Sequence, residues 1–152
     1  MPRLRLRRNA PFEVVTLGEM IGSAEEMALV NPNAKFPLDP LEWQEKWLNE
    51  PDDKSFYLVD ADGSDVGFFA LRVGIGPEVR HLTYAFVVPE ARGGAGEQMA
   101  GLVIEAARSL EALTVTLKCE TDNLPALNAY RSAGFATLSE RGGMATMKLD
   151  LG

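Results

Sequence analysis

The apolar residues of this chain follow two different periods, and the change from one to the other predicts a mixed α/β fold. Residues 83–110 show it best and read TYAFVVPEARGGAGEQMAGLVIEAARSL. The apolar run Tyr84 to Val88 has strand character, and Arg92 to Gly96 form a glycine-rich turn. After Gly96, apolar side chains recur at spacings of three and four, as on one face of a helix; they are Met99, Leu102, Val103, Ala106 and Leu110.

The glycine-rich turn leads into a helix N-terminus, where unpaired backbone N–H groups and the helix dipole attract anions. Gly93, Gly94 and Gly96 do not have the GxGxxG spacing, and no Gly-Lys-Ser/Thr follows them, so neither a Rossmann nor a P-loop fingerprint is present. A tight turn that binds nothing is the alternative, because glycines also serve such turns.

The other strand-like segments alternate apolar and polar residues or are continuous apolar runs. Asp62-Gly63 and Gly142-Gly143 supply the positive-φ positions of two hairpin turns. A right-handed crossover through the helix after Gly96 makes the strand at 114–121 parallel to the strand before the glycines. The predicted strands are 3–8 at or near an edge, 55–59, 66–73, 79–88, 114–121, 135–140 and 144–151.

Three further helices are predicted. Residues 11–30 have helical spacing interrupted or bent near Gly18 or Gly22. Asp39-Pro40-Leu41-Glu42 is a helix start, with Asp39 as N-cap, Pro40 at the first position and Glu42 three residues after the cap. This helix runs to about Asn49 and places two aromatic side chains on one face, either in the core or in the wall of a pocket; they are Trp43 and Trp47.

A short helix follows 114–121. Asp122 or Asn123 caps its start, and Gly134 in the left-handed conformation closes it.

Composition indicates one soluble domain. The chain has 152 residues, of which 46% are hydrophobic and 8% aromatic, enough for one core. No apolar run approaches the roughly 18 residues that span a bilayer, and the start, MPRLRLRRNA, lacks the apolar segment of a secretory signal. We therefore expect a single cytoplasmic domain over residues 1–152, with no membrane partner.

Charge and cysteine usage narrow the possible ligands. The net charge of -7 argues against a nucleic-acid partner and favours a cationic small molecule or basic peptide, although acidity also keeps proteins soluble. Glu50, Asp52 and Asp53 could attract such a cation, or form a solvated acidic loop. Cys119 and His81 are the only cysteine and histidine, so we expect neither an internal disulfide nor a metal site.

Two linked motifs carry a resemblance to a known family. The second is the more specific and reads Asn-x-x-Ala-x-x-x-Tyr-x-x-x-Gly-Phe over residues 123–135; the first comprises Val87, Pro89, Arg92, Gly93, Gly94 and Gly96. In this order they resemble the GNAT superfamily of acyl-CoA-dependent N-acetyltransferases over essentially the whole chain. The first motif departs from the family pattern: an ungapped alignment puts Ala95 and Glu97 at small-residue positions, whereas one deletion after Gly93 aligns Gly94 and Gly96.

The resemblance implies an α/β (α+β) fold: a mixed, mostly antiparallel sheet of about seven strands, with a splayed parallel pair in the middle and helices on both faces. It also implies acetyl-CoA as acyl donor, with the backbone of 85–88 facing the pantetheine arm in the gap between the parallel strands. The implied cofactor-binding residues are Phe86, Val87, Val88, Arg92, Gly93, Gly94, Ala95, Gly96, Asn123, Ala126 and Tyr130.

Tyr130 matches the family's general acid, with packing of its helix on the sheet as the alternative. Asn123 either binds the cofactor or caps the helix, and the two roles are compatible. Glu120 and His81 are the candidate general bases, together with Thr83, and a histidine changes charge near neutral pH. Cys119 as an acyl-carrying nucleophile is disfavoured because it alternates with Val115 and Leu117 and lacks a base partner.

The implied activity is N-acetylation of a primary amine on a small molecule or peptide, by direct transfer in a ternary complex. The first two helices and residues 31–38 should form the acceptor side, with Trp43 or Trp47 as possible walls. A catalytically silent acyl-CoA-binding or sensing domain is the main alternative, and an unrelated nucleotide-binding module is a third. The edge of the closing hairpin leaves both a monomer and a homodimer open.

Overall fold

Seven strands form one sheet in the order β1-β2-β3-β4-β5-β7-β6 in a computed structural model that describes residues 3–92 and 97–152. Only β4 and β5 are parallel, and every other neighbouring pair is antiparallel. This is the predicted mixed sheet, with β1 at one edge and β6 at the other. The strands are β1 Arg5–Arg8, β2 Lys54–Val59, β3 Asp65–Val73, β4 Val79–Val87, β5 Thr114–Glu120, β6 Ala136–Arg141 and β7 Met144–Asp150.

Five helices accompany the sheet: α1 Val15–Met20, α2 Ala24–Val30, α3 Pro40–Glu42, α4 Arg92–Ser109 and α5 Leu124–Ser132. The break predicted near Gly18 or Gly22 falls at Gly22. Ser23 caps α2 by accepting a hydrogen bond from Glu26 N, and the Glu26 carboxylate accepts one from Gly22 N at 2.8 Å, so α2 begins with reciprocal capping bonds. None of the helices in the described part of the chain is long and apolar enough to cross a membrane.

The helix predicted from Asp39 to about Asn49 changes type partway along, from α-helix over Pro40–Glu42 to a π-helical turn over Trp43–Trp47. Asp39 caps it as predicted, accepting from Leu41 N at 3.0 Å. The carboxylate of Glu42, however, accepts from Lys35 N at 3.0 Å instead of closing a capping box. After Glu42 the chain continues as one π-helical turn, Trp43–Trp47, closed by a bond from Leu48 N to the Trp43 carbonyl. The wider turn ends the helix before the predicted limit at Asn49.

Helix α4 begins earlier than the sequence pattern suggested. Pro89–Ala91 form a 3₁₀ turn, and α4 follows directly at Arg92, because proline fixes a helical φ at the first position of a turn. The predicted glycine-rich segment, 93–96, lies outside the described residues. The interpretation of Arg92 as part of a separate turn was wrong.

The two faces of the sheet are covered unequally. Strands β2 and β3 are buried on both faces, by α4 and α5 on one side and by α1, α2 and the π-helical turn on the other. Strand β5 is buried on one face only, through Val115, Leu117 and Cys119. Its other face carries Thr116 and Lys118. Helices therefore cover both faces at β2 and β3 but only one face at β5, and every residue of β6 is exposed.

Gly67 in β3 offers a test of this packing. A Cβ atom added there would lie 2.8 Å from Leu58 Cδ1 and 2.9 Å from the Phe86 carbonyl oxygen, and the backbone atom cannot easily move. We expect Gly67→Ala to lower the free energy of unfolding by about 1–3 kcal/mol, measured by urea denaturation.

Gly101 in α4 is the matched control. A Cβ atom added there meets no atom within 4 Å, so Gly101→Ala should raise the free energy of unfolding by about 0.5–1 kcal/mol through better helix propensity. Equal shifts of the same sign in both variants would contradict the packing described at Gly67.

Candidate active site

The parallel pair β4 and β5 separates after only three residues of pairing. Val79, Arg80 and His81 pair with Thr114, Val115 and Thr116, whereas β4 continues to Val87 and β5 to Glu120. Beyond His81, the backbone groups of β4 that face β5 therefore have no sheet partner on that side. The result is a V-shaped opening in the middle of the sheet, as the sequence resemblance implied.

A β-bulge in β4 lies at the mouth of this opening. Phe68 pairs with Phe86 and Ala70 with Thr83, so Tyr84 and Ala85 together face the single residue Phe69. Tyr84 has a φ of 53°, in the left-handed region that a tyrosine seldom adopts. A bulge increases the local twist and bends its strand, which accounts for the divergence of β4 from β5.

Packing of the Tyr84 ring maintains this unusual conformation. The ring meets Trp43 edge-on, with centroids 5.0 Å apart and planes at 72°, and its hydroxyl donates to the Trp47 carbonyl at 3.4 Å. Trp43 is fully buried and Trp47 half-buried. Of the two roles open for these tryptophans, the core role is correct, and neither lines the opening.

The opening is a cleft of about 690 Å³ that collects side chains from distant parts of the sequence. Strand β4 contributes His81 and Thr83, and α5 contributes Tyr130. These three were predicted site residues, and the fold brings them together. Sequence reasoning missed Thr116 and Lys118 from β5 and Thr146 from β7. The cleft residues at and after the end of α2 lie in the segments that were predicted to form the acceptor side; they are Leu29, Val30 and Pro32. Leu82, Tyr84, Ala85 and Leu117 complete the lining. The polar positions of the alternating β5 pattern were the available signal for Thr116 and Lys118.

Tyr130 reaches the cleft because the Asn123 to Phe135 motif builds a short helix of fixed length. Asn123 caps α5 by accepting from Ala126 N at 3.4 Å, and Gly134 ends it with a φ of 110°. The chain then turns back, so that the Phe135 ring packs edge-on against Tyr130 at 5.5 Å. Burial, and secondarily the nearby Cys119, raises the pKa of Tyr130 to about 12. The phenol is therefore a proton donor throughout the physiological range.

The candidate bases have different positions. His81 is exposed, hydrogen-bonds Thr116 Oγ1 through Nδ1, and has its Nε2 directed toward Gly74. The buried Thr83 hydroxyl has no hydrogen-bond partner among the described residues. Glu120 is exposed at the end of β5 and does not line the cleft.

Cys119 is a buried thiol beside the cleft. Burial raises the pKa of Cys119, and the charges of Glu120 and Asp122 raise it further. The neutral thiol is therefore favoured over the nucleophilic thiolate. Within the described part of the chain, no group of three or more His, Cys, Asp or Glu side chains could hold a metal ion.

At the start of α4, Arg92 is held by three neighbours. Its Nε donates to the Val87 carbonyl at 2.9 Å, its guanidinium lies 5.6 Å from the Phe86 ring centroid, and Nη2 is 4.0 Å from Glu26 Oε2. Arg92 remains half-exposed and is the positive charge at the beginning of the helix. The other predicted residues of this loop, Gly93, Gly94, Ala95 and Gly96, lie outside the described residues.

The acidic residues proposed to attract a cation do not line the cleft. Asp53 is almost fully buried and accepts from Val73 N at 2.9 Å and from Arg72 Nε at 3.3 Å. The backbone carbonyl of Asp52 accepts from the buried Arg80. Together these bonds attach the loop before β2 to the ends of β3 and β4, so the role of Asp53 is structural.

Two solved structures with the same architecture are acetyltransferases in complex with a coenzyme A compound. Spermidine N-acetyltransferase from Vibrio cholerae, in complex with CoA and spermine, has a TM-score of 0.75 and 18% identity, covering 97% of this chain and 95% of that one. The N-acetyltransferase PseH of Campylobacter jejuni, in complex with acetyl coenzyme A, has a TM-score of 0.69 and 17% identity, covering 99% and 100%. At these identities the likeness concerns the fold.

Sequence comparison identifies the family. The mycothiol acetyltransferase of Streptomyces griseus is 30% identical over 94 residues, which are 61% of this chain but only 30% of that protein. The chain thus matches a minor part of this relative. The family model of the acetyltransferase (GNAT) family matches residues 23–135, from the cap of α2 to the phenylalanine that packs on Tyr130. With the splayed parallel strands and this match over most of its length, the chain belongs to the GNAT family of acetyltransferases.

Proposed function

We propose that this protein transfers the acetyl group of acetyl-CoA directly to a primary amine of a small molecule or peptide, within a ternary complex. The observation that carries the proposal is the cleft itself: unpaired β4 backbone beyond His81 and the buried phenol of Tyr130 face one space. The unpaired backbone supplies binding groups for an amide-bearing arm, and the phenol supplies a proton donor beside that arm.

In this proposal the pantetheine arm binds along β4 as an added strand would. Its amides would pair with the backbone groups between Ala85 and Val87 that face the opening. Val88 offers no free backbone group, because its N–H donates to the Val66 carbonyl and its carbonyl accepts from Ala91 N, and the Val87 carbonyl already accepts from Arg92 Nε. The pyrophosphate would lie at the start of α4, against Arg92 and the backbone N–H groups of 93–96, where the helix dipole favours an anion. Asn123 and Ala126 at the start of α5 would face the other side of the arm.

Chemically, the neutral amine nitrogen attacks the thioester carbonyl carbon, and the bond from that carbon to sulfur breaks. The amine loses one proton and the departing thiolate gains one. Tyr130 is the proposed donor of the second proton, since its phenol stays protonated in the cleft. His81 is the proposed acceptor of the first, through a water molecule, because it lines the cleft and its Nδ1 is already bonded to Thr116 Oγ1.

The state of Cys119 supports direct transfer over an acetyl-cysteine intermediate. An acyl-carrying cysteine needs thiolate character and an adjacent base, whereas burial raises the pKa of Cys119 and its Sγ–H donates to the Glu120 carbonyl at 3.6 Å. The amine itself is then the only nucleophile required.

The proposal predicts amine-dependent release of coenzyme A. Purified protein incubated with acetyl-CoA and separate pools of amino acids, polyamines, aminoglycosides and N-terminal peptides should release free thiol with at least one pool. Mass spectrometry should find one acetyl group on the amine and none on the protein. Binding of coenzyme A without turnover on any pool would instead support a silent acyl-CoA-binding domain.

Tyr130→Phe tests the proton donor. We expect kcat to fall about a hundredfold, with little change in coenzyme A affinity, because the ring still packs on Phe135. Since the pKa of Tyr130 is raised to about 12, its ionisation should not lower the wild-type kcat between about pH 7 and pH 10. Stopped-assay kinetics over this range provide both measurements.

Tyr57→Phe is the control for loss of a tyrosine hydroxyl. Tyr57 lies away from the cleft, donates to the Glu13 carbonyl at 2.9 Å and accepts from Leu17 N at 3.2 Å. It should cost about 1 kcal/mol of stability and leave kcat unchanged. Equal kcat losses in both variants would remove Tyr130 from the mechanism.

His81→Gln and Glu120→Gln separate the two candidate bases. Because His81 lines the cleft and Glu120 does not, only His81→Gln should lower kcat/KM substantially, by about tenfold to a hundredfold. A loss confined to Glu120→Gln would reverse the assignment.

Arg92→Ala tests the anion site. We expect it to weaken coenzyme A binding about tenfold at low salt, but to leave binding of pantetheine, which lacks the pyrophosphate, unchanged. Arg108→Ala, near the other end of α4, is the charge-matched control and should affect neither compound. Isothermal calorimetry would show the difference, and equal weakening for both compounds would exclude a pyrophosphate contact.

A further inference from the structure

The charge of the cleft is opposite in sign to the charge of the whole chain. Although the net charge is -7, no aspartate or glutamate is found among the described residues that line the cleft, and Lys118 brings a positive charge into it. A polyamine acceptor would place its second ammonium group in a space with no carboxylate and one lysine. Like charges at short range repel, so this local arrangement disfavours a polycation.

Lys118 is also free to bind an anion. It is exposed, and none of the ion pairs within the described part of the chain includes it. Lys148 on the neighbouring strand provides the contrast. Thr116 pairs with Lys148, and Lys118 with Thr146, so both lysines project from the same face of the sheet. The ammonium of Lys148 lies 3.5 Å from Asp150 Oδ1, whereas Lys118 has no such neighbour.

Another part of the cleft lining is apolar. It is formed by the end of α2 and the next residues, Leu29, Val30 and Pro32. Leu29 is 71% exposed, so burying its side chain against a substrate would be favourable. The cleft therefore offers both a cation and an aliphatic surface.

We infer that the acceptor is an amine that also carries a carboxylate and an aliphatic group, as an apolar α-amino acid does. Lys118 binds the carboxylate, the Leu29 wall contacts the aliphatic side chain, and the amine lies between them, near His81 and Thr83. This inference rests on the proposed acetyl transfer and specifies its acceptor. The acidity of the chain as a whole, which favours cationic partners, does not extend to the cleft.

The test compares three amines at saturating acetyl-CoA: L-leucine, L-leucinamide, which lacks the carboxylate, and spermidine. Wild-type protein should have a higher kcat/KM for L-leucine than for spermidine. Lys118→Met should raise KM for L-leucine about tenfold and leave KM for L-leucinamide within about twofold. Comparing the variant with wild type on the same amine cancels differences in amine basicity.

Two further variants sharpen the result. Lys148→Met removes a lysine from the same face, outside the cleft, and should change none of these constants. Leu29→Ala should raise KM for L-leucine about threefold and leave KM for L-alanine unchanged. Both lysines and Leu29 are exposed or half-exposed, so thermal unfolding should confirm that all variants fold as the wild type does.

Spermidine as the best acceptor, together with an unchanged L-leucine KM in Lys118→Met, would overturn the inference and leave the acetyl transfer intact. An equal KM increase for L-leucine and L-leucinamide would also overturn it, since the carboxylate would then have no role. Coenzyme A binding without thiol release from any amine would overturn the proposed function and this inference with it.

Discussion

The end of strand pairing at His81 and Thr116 is the constraint on which the site depends. Up to that point β4 and β5 satisfy each other's backbone groups, and beyond it they cannot, because the bulge at Tyr84 turns β4 away. A sheet normally leaves unpaired N–H and C=O groups only at its edges. Here they occur in the middle, between the helices of both layers, where a bound molecule can complete the pairing.

Maintaining this opening requires support from elsewhere in the fold. The left-handed conformation of Tyr84 costs free energy, and the buried Trp43 packs against the ring edge that this conformation presents. Trp43 in turn depends on the π-helical turn that follows α3, whose wider spacing ends at Leu48. The tryptophan segment, for which the sequence left a core role and a pocket-wall role open, therefore acts indirectly, by fixing the strand that forms the cleft.

Regular features of the fold were predictable from the sequence, and features made by tertiary contact were not. Period-two patterns and positive-φ glycines located the strands and hairpins, and the spacing from Asn123 to Phe135 located Tyr130. No local sequence pattern indicates a tyrosine with positive φ at position 84, because the ring that packs against it belongs to Trp43, which is distant in sequence.

The one-sided burial of β5 has a consequence for how such a protein can diverge. Val115, Leu117 and Cys119 belong to the core, whereas the alternate residues Thr116 and Lys118 face the cleft and touch none of it. Substitutions at exposed positions usually change stability by less than about 0.5 kcal/mol. Selection therefore acts on β5 in two ways. The residues that point into the core are constrained by the stability of the fold, whereas the alternate residues that face the cleft can be substituted when the acceptor changes.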